Sequence, residues 1–233
     1  LKETIPNLKL LCNLPSEDKK EFYTFNLEFL NLLGILKSDI IIVNSNTIYY
    51  NLWISDSYTH GGLSNNRPNL EIFNFYNQIK DLALKKKCNI PKYKNIYISR
   101  RSHLHNNHNN IGTNYTQRRK LLNEDQLVET LKELNYEEIF TENLSTIEKI
   151  HLFHNAKNIV GCIGGGIANV LFSEKTTNLY AIISPYFLDI NYRFKYCLEG
   201  VNIKYIKDTY HAEQTEFKKY MRIQEKNTNI VGE

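Results

Sequence analysis

The chain has 233 residues, 42% hydrophobic and 12% aromatic, a content that offsets the entropy of ordering and excludes intrinsic disorder. Lys and Arg total 29 against 25 Asp and Glu, a net charge of +4 scattered along the chain, so a local anion site accounts for the excess and a nucleic-acid partner is not expected. Cys12, Cys88, Cys162 and Cys197 form no CxxC pair, which argues against a zinc framework or disulfide scaffold and points to a reducing, cytoplasmic compartment. No run approaches the roughly 20 apolar residues of a spanning helix, and the first residues lack the layout of a signal peptide. The chain opens at Leu1 without a Met, as expected of an excised domain or ordered fragment. A missing upstream signal or anchor would make the secretory lumen the alternative location.

In chain order, Phe22, Phe25, Phe29, Leu30 and Leu33 recur at helical spacing, and Gly34 follows where a left-handed C-terminal cap belongs. The run Asp39–Val43 reads as a strand buried on both faces, Asn44–Asn46 as a turn, and Ile48–Ile54 as a second strand. Breaker residues crowd Tyr58–Pro68, a helix is expected over Asn69–Lys85, and Lys85–Pro91 reads as a linker. From there the pattern becomes a βα alternation. Asn95–Ser99 is a strand, Arg100–Lys120 a polar loop, and Asn123 caps a helix with Gln126 at its third position and Leu127, Leu131 and Leu134 as the buried stripe. Glu138–Phe140 is a short strand, and Ser145 with Glu148 forms a capping box that opens a helix through His154. Asn158–Gly161 is a strand, Cys162–Asn169 turns into a short helix ending near Phe172, and Leu179–Ile183 is a further strand. Strands alternating with helices imply parallel βαβ units, so the second half is expected to be a doubly wound α/β domain. His211–Lys226 has Phe217, Tyr220 and Met221 at a spacing that fits a final helix.

In such a sheet ligands lie beyond the carboxyl ends of the strands, and two exits stand out. Gly164, Gly165 and Gly166 allow backbone to approach a ligand and expose amide N–H groups at a helix start, which suits a phosphate or a nucleotide edge; the alternative is simply a tight turn. Arg100 and Arg101 leave the strand before it, and guanidinium forks match diphosphate oxygens, although surface charge is the commoner role.

Four segments in order carry a resemblance. Asn95-Ile-Tyr-Ile-Ser-Arg100, Arg119-Lys-Leu-Leu-Asn-Glu124, Leu144-Ser-Thr-Ile-Glu148 and Gly161-Cys-Ile-Gly-Gly-Gly-Ile-Ala-Asn-Val-Leu-Phe172 resemble the motif series of glycosyltransferase family 61, which includes protein O-linked N-acetylglucosaminyl and plant xylosyl transferases. One departure stands within the last segment: Ile163 occupies the place where many members have His, and Ile can donate neither a hydrogen bond nor a proton. Gly165 likewise stands where Ala is usual.

The resemblance implies a GT-B-like fold of two Rossmann-like domains. Residues 1–88 would be a partial N-terminal acceptor-side domain, 89–208 the nucleotide-sugar-binding domain, and 209–233 a helical tail. It implies an inverting transferase that moves a sugar from a nucleotide-sugar donor, expected to be a UDP-sugar, to a glycan or protein hydroxyl. No cofactor or metal is expected beyond that co-substrate. Arg100 and Arg119 would neutralise the leaving diphosphate, where fixed cations lower a barrier most. Gly164, Gly165 and Gly166 would line the donor pocket, Asn123 and Asn169 would bind sugar or phosphate, and Ser145 or Glu148 would reach the nucleotide, with Glu148 also needed for the cap. Asp56 and His60, on the breaker-rich loop, are the candidates for the general base that inversion needs, against the reading that they are ordinary loop polarity.

The rival from another class is a catalytically inactive nucleotide- or glycan-binding module derived from a transferase, one that has kept the nucleotide pocket or lost it and now recognises glycans. A dehydrogenase is disfavoured because the first strand of the βα series lacks GxGxxG. His103, His105 and His108 lie in an Asn-rich loop with no Cys or carboxylate support for a metal. His151 and His154 read as helix surface. Asn114 and Asn143 fit glycosylation sequons that matter only in a secretory compartment.

Overall fold

A computed structural model describes residues 5, 7–14, 21–44, 46–54, 70–101, 119–121, 123–183, 202–207 and 219–221. Strand β1 (Leu10–Cys12), helix α1 (Thr24–Leu32) and strand β2 (Ile40–Ile42) form a small βαβ unit, the two strands pairing in parallel. Gly34 ends α1 as expected: its φ of +74° is the left-handed conformation, and the N–H of Ile35 returns to the Leu30 carbonyl at 2.9 Å. Helix α2 (Leu70–Leu84) follows.

The main sheet holds β3 (Asn95–Ile98), β5 (Glu137–Ile139), β6 (Asn158–Cys162), β7 (Asn178–Ile183) and β8 (Asn202–Lys207), all parallel, in the spatial order β5-β3-β6-β7-β8. The chain starts near one edge, steps outward to β5, then reverses past β3, a doubly wound Rossmann-like order with its switch point between β3 and β6. Helices α3 (Glu124–Glu133) and α4 (Thr146–Asn155) join consecutive strands. Alternate strand residues serve opposite faces. Ile96, Ile98, Ile159, Leu179 and Ala181 pack with Leu152 and Phe153 of α4. Tyr97, Val160 and Ile182 pack with Val128 and Leu131 of α3. Outside α4, a third cluster joins Leu32 of α1, Ile79 and Ala83 of α2, Ile150 and Phe172. The N-terminal helices are thus a further layer on the sheet domain.

The first residue of four strands is Asn, and the four stand in register: Asn95, Asn158, Asn178 and Asn202. Each later side-chain amide donates to the one before, Asn158 to Asn95 at 2.8 Å, Asn178 to Asn158 at 3.0 Å and Asn202 to Asn178 at 2.7 Å.

Several expectations are corrected. Residues 48–54 are not a strand: Asn51 has a φ of +56°, which breaks the extended path, and Ile48, Tyr50, Trp53 and Ile54 are 77%, 84%, 76% and 84% exposed. Strand β2 is not buried on both faces, since its sheet has only two described strands and leaves Ile41 and Ile42 exposed. On α3, Asn123 makes no side-chain cap bond, and the buried positions are Glu124, Val128 and Leu131, with Leu134 exposed. Strand β4 (Arg119–Leu121) lies where a loop was expected, and β9 (Lys219–Met221) where a helix was; the two pair in parallel, and that ladder gives the backbone groups of both segments partners. His151 and His154 are half-buried against α2 and its surroundings, His151 Nε2 lying 3.2 Å from the Ala83 carbonyl and His154 Nδ1 2.9 Å from Glu174. Among the described residues no helix is long and apolar enough to cross a membrane.

Candidate functional site

Strand β3 leads into Ser99, Arg100 and Arg101, and β6 leads into Ile163 and the three glycines, so the two exits flank the switch point where doubly wound sheets bind ligands. Ser99 remains buried, and its N–H donates to the Ile139 carbonyl at 2.9 Å, carrying the β3–β5 ladder one residue further.

Beyond Ser99 the two arginines diverge. Arg101 donates through Nε to Glu138 Oε1 at 2.8 Å, through Nη2 to Glu138 Oε2 at 2.5 Å, and through Nη1 to Asp125 at 2.7 Å. Burial alone would raise the Glu138 carboxyl, but the hydrogen bonds and positive charge of Arg101 outweigh it and hold it below its ordinary value. These contacts, the Glu138 hydrogen bonds foremost, raise the Arg101 guanidinium further still. Its fork is engaged by two carboxylates of its own chain. Arg100 instead reaches across the switch point, where Nη2 donates to the Ile163 carbonyl at 2.9 Å. Among the described residues this is the one hydrogen bond its side chain makes, and a guanidinium has five N–H donors.

The three glycines have three different reasons. A Cβ at Gly164 would overlap Nη2 of Arg100, so this glycine makes room for the guanidinium. A Cβ at Gly165 would meet nothing within 4 Å, and the residue is exposed, which leaves open space beside Arg100. A Cβ at Gly166 would stand 2.9 Å from Thr141 Oγ1 and 3.0 Å from Ile98 Cγ2, so this glycine answers to packing. The segment after them, Ile167–Phe172, is 3-10 rather than α-helical. Its entry is closed by Ala168 N–H to the Gly164 carbonyl at 3.1 Å and by the Asn169 side-chain amide to the Gly166 carbonyl at 2.8 Å. Ile163 turns its side chain into the core, 6% exposed, and contributes main-chain groups alone: its N–H donates to Ile182 and its carbonyl accepts from Arg100.

The remaining candidates are placed as follows. Ser145 and Glu148 form the expected capping box, Ser145 N–H and Oγ each donating to Glu148 Oε2 at 2.7 Å. Glu28 of α1 adds a long-range cap, accepting from Thr146 N–H at 2.8 Å and Thr146 Oγ1 at 2.6 Å. Carboxylates of the chain itself therefore already occupy the start of α4. Burial lowers the Lys149 ammonium, and Glu28, Glu142 and Glu148 partly offset it. Asn123 sits at the N-cap position of α3, and Arg119 lies on β4 with its side chain outside the described residues. Asp56, His60, His103, His105, His108 and Asn114 lie outside the described residues. Asn143 lies in the 3-10 turn Thr141–Asn143.

One site residue was not singled out from the sequence. Glu124, the first residue of α3, is 4% exposed, and its Oε1 accepts from Tyr97 OH at 2.8 Å, Ser99 Oγ at 3.3 Å and Arg100 N–H at 2.6 Å. Two signals were available: it closes the Arg119–Glu124 motif segment, and it stands directly after Asn123 at the head of α3, where a carboxylate suits the positive end of the helix.

No curated protein matches the chain. A family model described as Glycosyltransferase 61 matches residues 9–180, from β1 into β7, and takes in both strand exits at the switch point. That span, most of the chain, carries the strand exits, the Arg100 fork and the glycine turn in one continuous match, and the chain belongs to glycosyltransferase family 61.

Proposed function

We propose that the switch-point crevice binds the diphosphate of a nucleotide-sugar donor, a UDP-sugar foremost, and that the chain transfers the sugar with inversion to a hydroxyl of a glycan or protein. The observation that carries this reading is Arg100. Its guanidinium is held across the crevice by the Ile163 carbonyl, over a glycine that leaves it room and beside one that leaves open space, with most of its donors unengaged among the described residues. A fixed cation there would stabilise the charge that grows on the diphosphate as the anomeric C–O bond breaks. Family membership supports a nucleotide-sugar donor and a glycan acceptor.

In the proposed reaction the acceptor hydroxyl loses its proton to a general base, its oxygen attacks the anomeric carbon, and the diphosphate leaves from the opposite face. Asp56 and His60 are the proposed bases. The proposed frame is GT-B, with 1–88 on the acceptor side, 89–208 holding the donor and 209–233 as a tail, and with Arg100 and Arg119 in place of a metal. Gly164, Gly165 and Asn169 line the donor site in this reading, while the internal bonds of Ser145, Glu148 and Gly166 assign them first to the scaffold.

Calorimetric titration with UDP, GDP and dTDP, with and without divalent metal, tests the reading on the parent, Arg100→Ala and Arg101→Ala. Metal-independent binding of one nucleotide, strongly weakened but still measurable in Arg100→Ala, is expected. Absence of binding by all three to folded protein would overturn it. A second reading, a nucleotide-binding module without activity, is favoured by Ile163, whose buried side chain offers no donor. Binding without any turnover of the matching nucleotide-sugars would select it.

A further inference from the structure

Glu124 is a carboxylate almost removed from water, yet no ion pair joins it to a cation among the described residues. An uncompensated buried charge is costly, and here the compensation is three neutral donors converging on one oxygen at the positive end of α3. What those donors share is location. Tyr97 is the third residue of β3, Ser99 the first residue beyond the strand, and Arg100 the residue that crosses the crevice. The same Ser99 hydroxyl oxygen accepts the Arg101 N–H at 3.0 Å, so the turn out of β3 hangs from one carboxylate oxygen, directly for Arg100 and through Ser99 for Arg101.

The direction of a side chain follows from the backbone that carries it. The main-chain N–H of Arg100 is fixed at 2.6 Å by Glu124, and its guanidinium is fixed at 2.9 Å by Ile163, so the side chain is anchored at both ends and spans the crevice between them. If the carboxylate were absent, the Arg100 N–H would have no partner here, and the peptide would be free to rotate toward water.

We propose that Glu124 is a positioning residue: it aims Arg100 across the switch-point crevice, and so sets the affinity for the donor diphosphate, without touching the donor. The proposal rests on the reading that Arg100 binds that diphosphate. Glu124 belongs to α3, on the face of the sheet opposite α4, so the helix that packs the core also orients the binding cation.

The test is a double-mutant cycle on folded protein, with UDP, GDP and dTDP as probes and the tightest binder followed. Glu124→Ala is expected to weaken binding about 10- to 100-fold in the parent, the scale of a lost charge-assisted contact, and to have no further effect in Arg100→Ala. Glu124→Gln keeps an acceptor oxygen and is expected to fall between parent and Ala; it serves as the test variant if Glu124→Ala does not fold. Tyr97→Phe removes a donor to the same oxygen but leaves the Arg100 N–H bond, so it is expected to lower the melting temperature while leaving affinity within about twofold. A merely structural Glu124 would give additive losses in the cycle, and that result would overturn the proposal, as would unchanged affinity in Glu124→Ala.

Hydrogen exchange at the Arg100 amide gives a readout free of any nucleotide. Protection lost in Glu124→Ala but kept in Tyr97→Phe supports the positioning, and protection kept in Glu124→Ala refutes it. If the parent binds none of the three nucleotides, the donor reading fails, while exchange still decides whether Glu124 orients Arg100.

Discussion

Gly166→Ala sets two opposing effects against each other at one site. Gly166 has φ −60° and ψ −50°, values that Ala adopts without strain, so Ala would gain about 0.4–1 kcal/mol by restricting the unfolded chain. With packing ignored, the variant should be more stable. The new Cβ would nevertheless stand 2.9 Å from Thr141 Oγ1 and 3.0 Å from Ile98 Cγ2, well inside the roughly 3.5–4.0 Å of ordinary contact. Both neighbours are buried, so neither can move into solvent, and overpacking of this kind costs about 1–3 kcal/mol. The clash wins. The expected net loss is about 1 kcal/mol, or a melting temperature about 2–4 °C lower for a chain of this size. Urea unfolding of the parent, Gly166→Ala, Thr141→Ala and the double variant gives the coupling. Removing Oγ1 takes away the tighter contact, so the double variant should be more stable than additivity allows by about 0.5–1 kcal/mol. If Gly166→Ala melts above the parent, or the two changes add, the packing argument for this glycine is wrong.

Other perturbations follow from the same contacts. Glu28→Ala removes the cap on Thr146, whose side chain is 1% exposed, and is expected to cost about 1–2 kcal/mol by thermal unfolding, with faster proteolysis of the α1 segment as α1 loses its hold on α4. Ile150→Ala, at 0% exposure between α4 and the outer helices, should cost about 2–5 kcal/mol in denaturant unfolding. Glu138 is held below its ordinary value near 4.5, so its contribution is present above that pH and is lost as pH falls through the lower folded value. Urea midpoints from neutral to strongly acidic pH should therefore fall less steeply for Glu138→Gln than for the parent, and equal slopes would rule out the Arg101 clamp as a source of acid sensitivity.

The parts of the fold legible in the sequence are those that one segment decides by itself. The Ser145–Glu148 box, the Gly34 cap and the strands beginning at Asn95, Asn158 and Asn178 depend on local chemistry or on a short apolar run, and each appears within a residue or two of its expected place. What failed depends on partners elsewhere. Ile48–Ile54 has strand composition but no ladder, and β4 with β9 has a ladder between two three-residue segments whose pairing neither sequence announces. On α3 apolar spacing selected Leu134, whereas the core needed a carboxylate at Glu124 to receive three donors from the β3 exit. In the site, Arg100 and the glycines were legible as types. Their division of labour was not: that Arg101 is tied to Glu138 and Asp125 while Arg100 crosses to Ile163 is a matter of which carboxylate faces which arginine.

The asparagine ladder has a bearing on the opposite edge of the sheet. Because Asn95 and Asn158 are level and bonded, counting along β3 and β6 starts from a common zero, and Arg100 and Ile163 lie the same number of residues beyond it. The amide row acts as a ruler whose far mark is the contact between guanidinium and carbonyl. One residue inserted within β6 would advance that carbonyl by about 3.3 Å, a full strand step, and leave Arg100 pointing at the wrong rung.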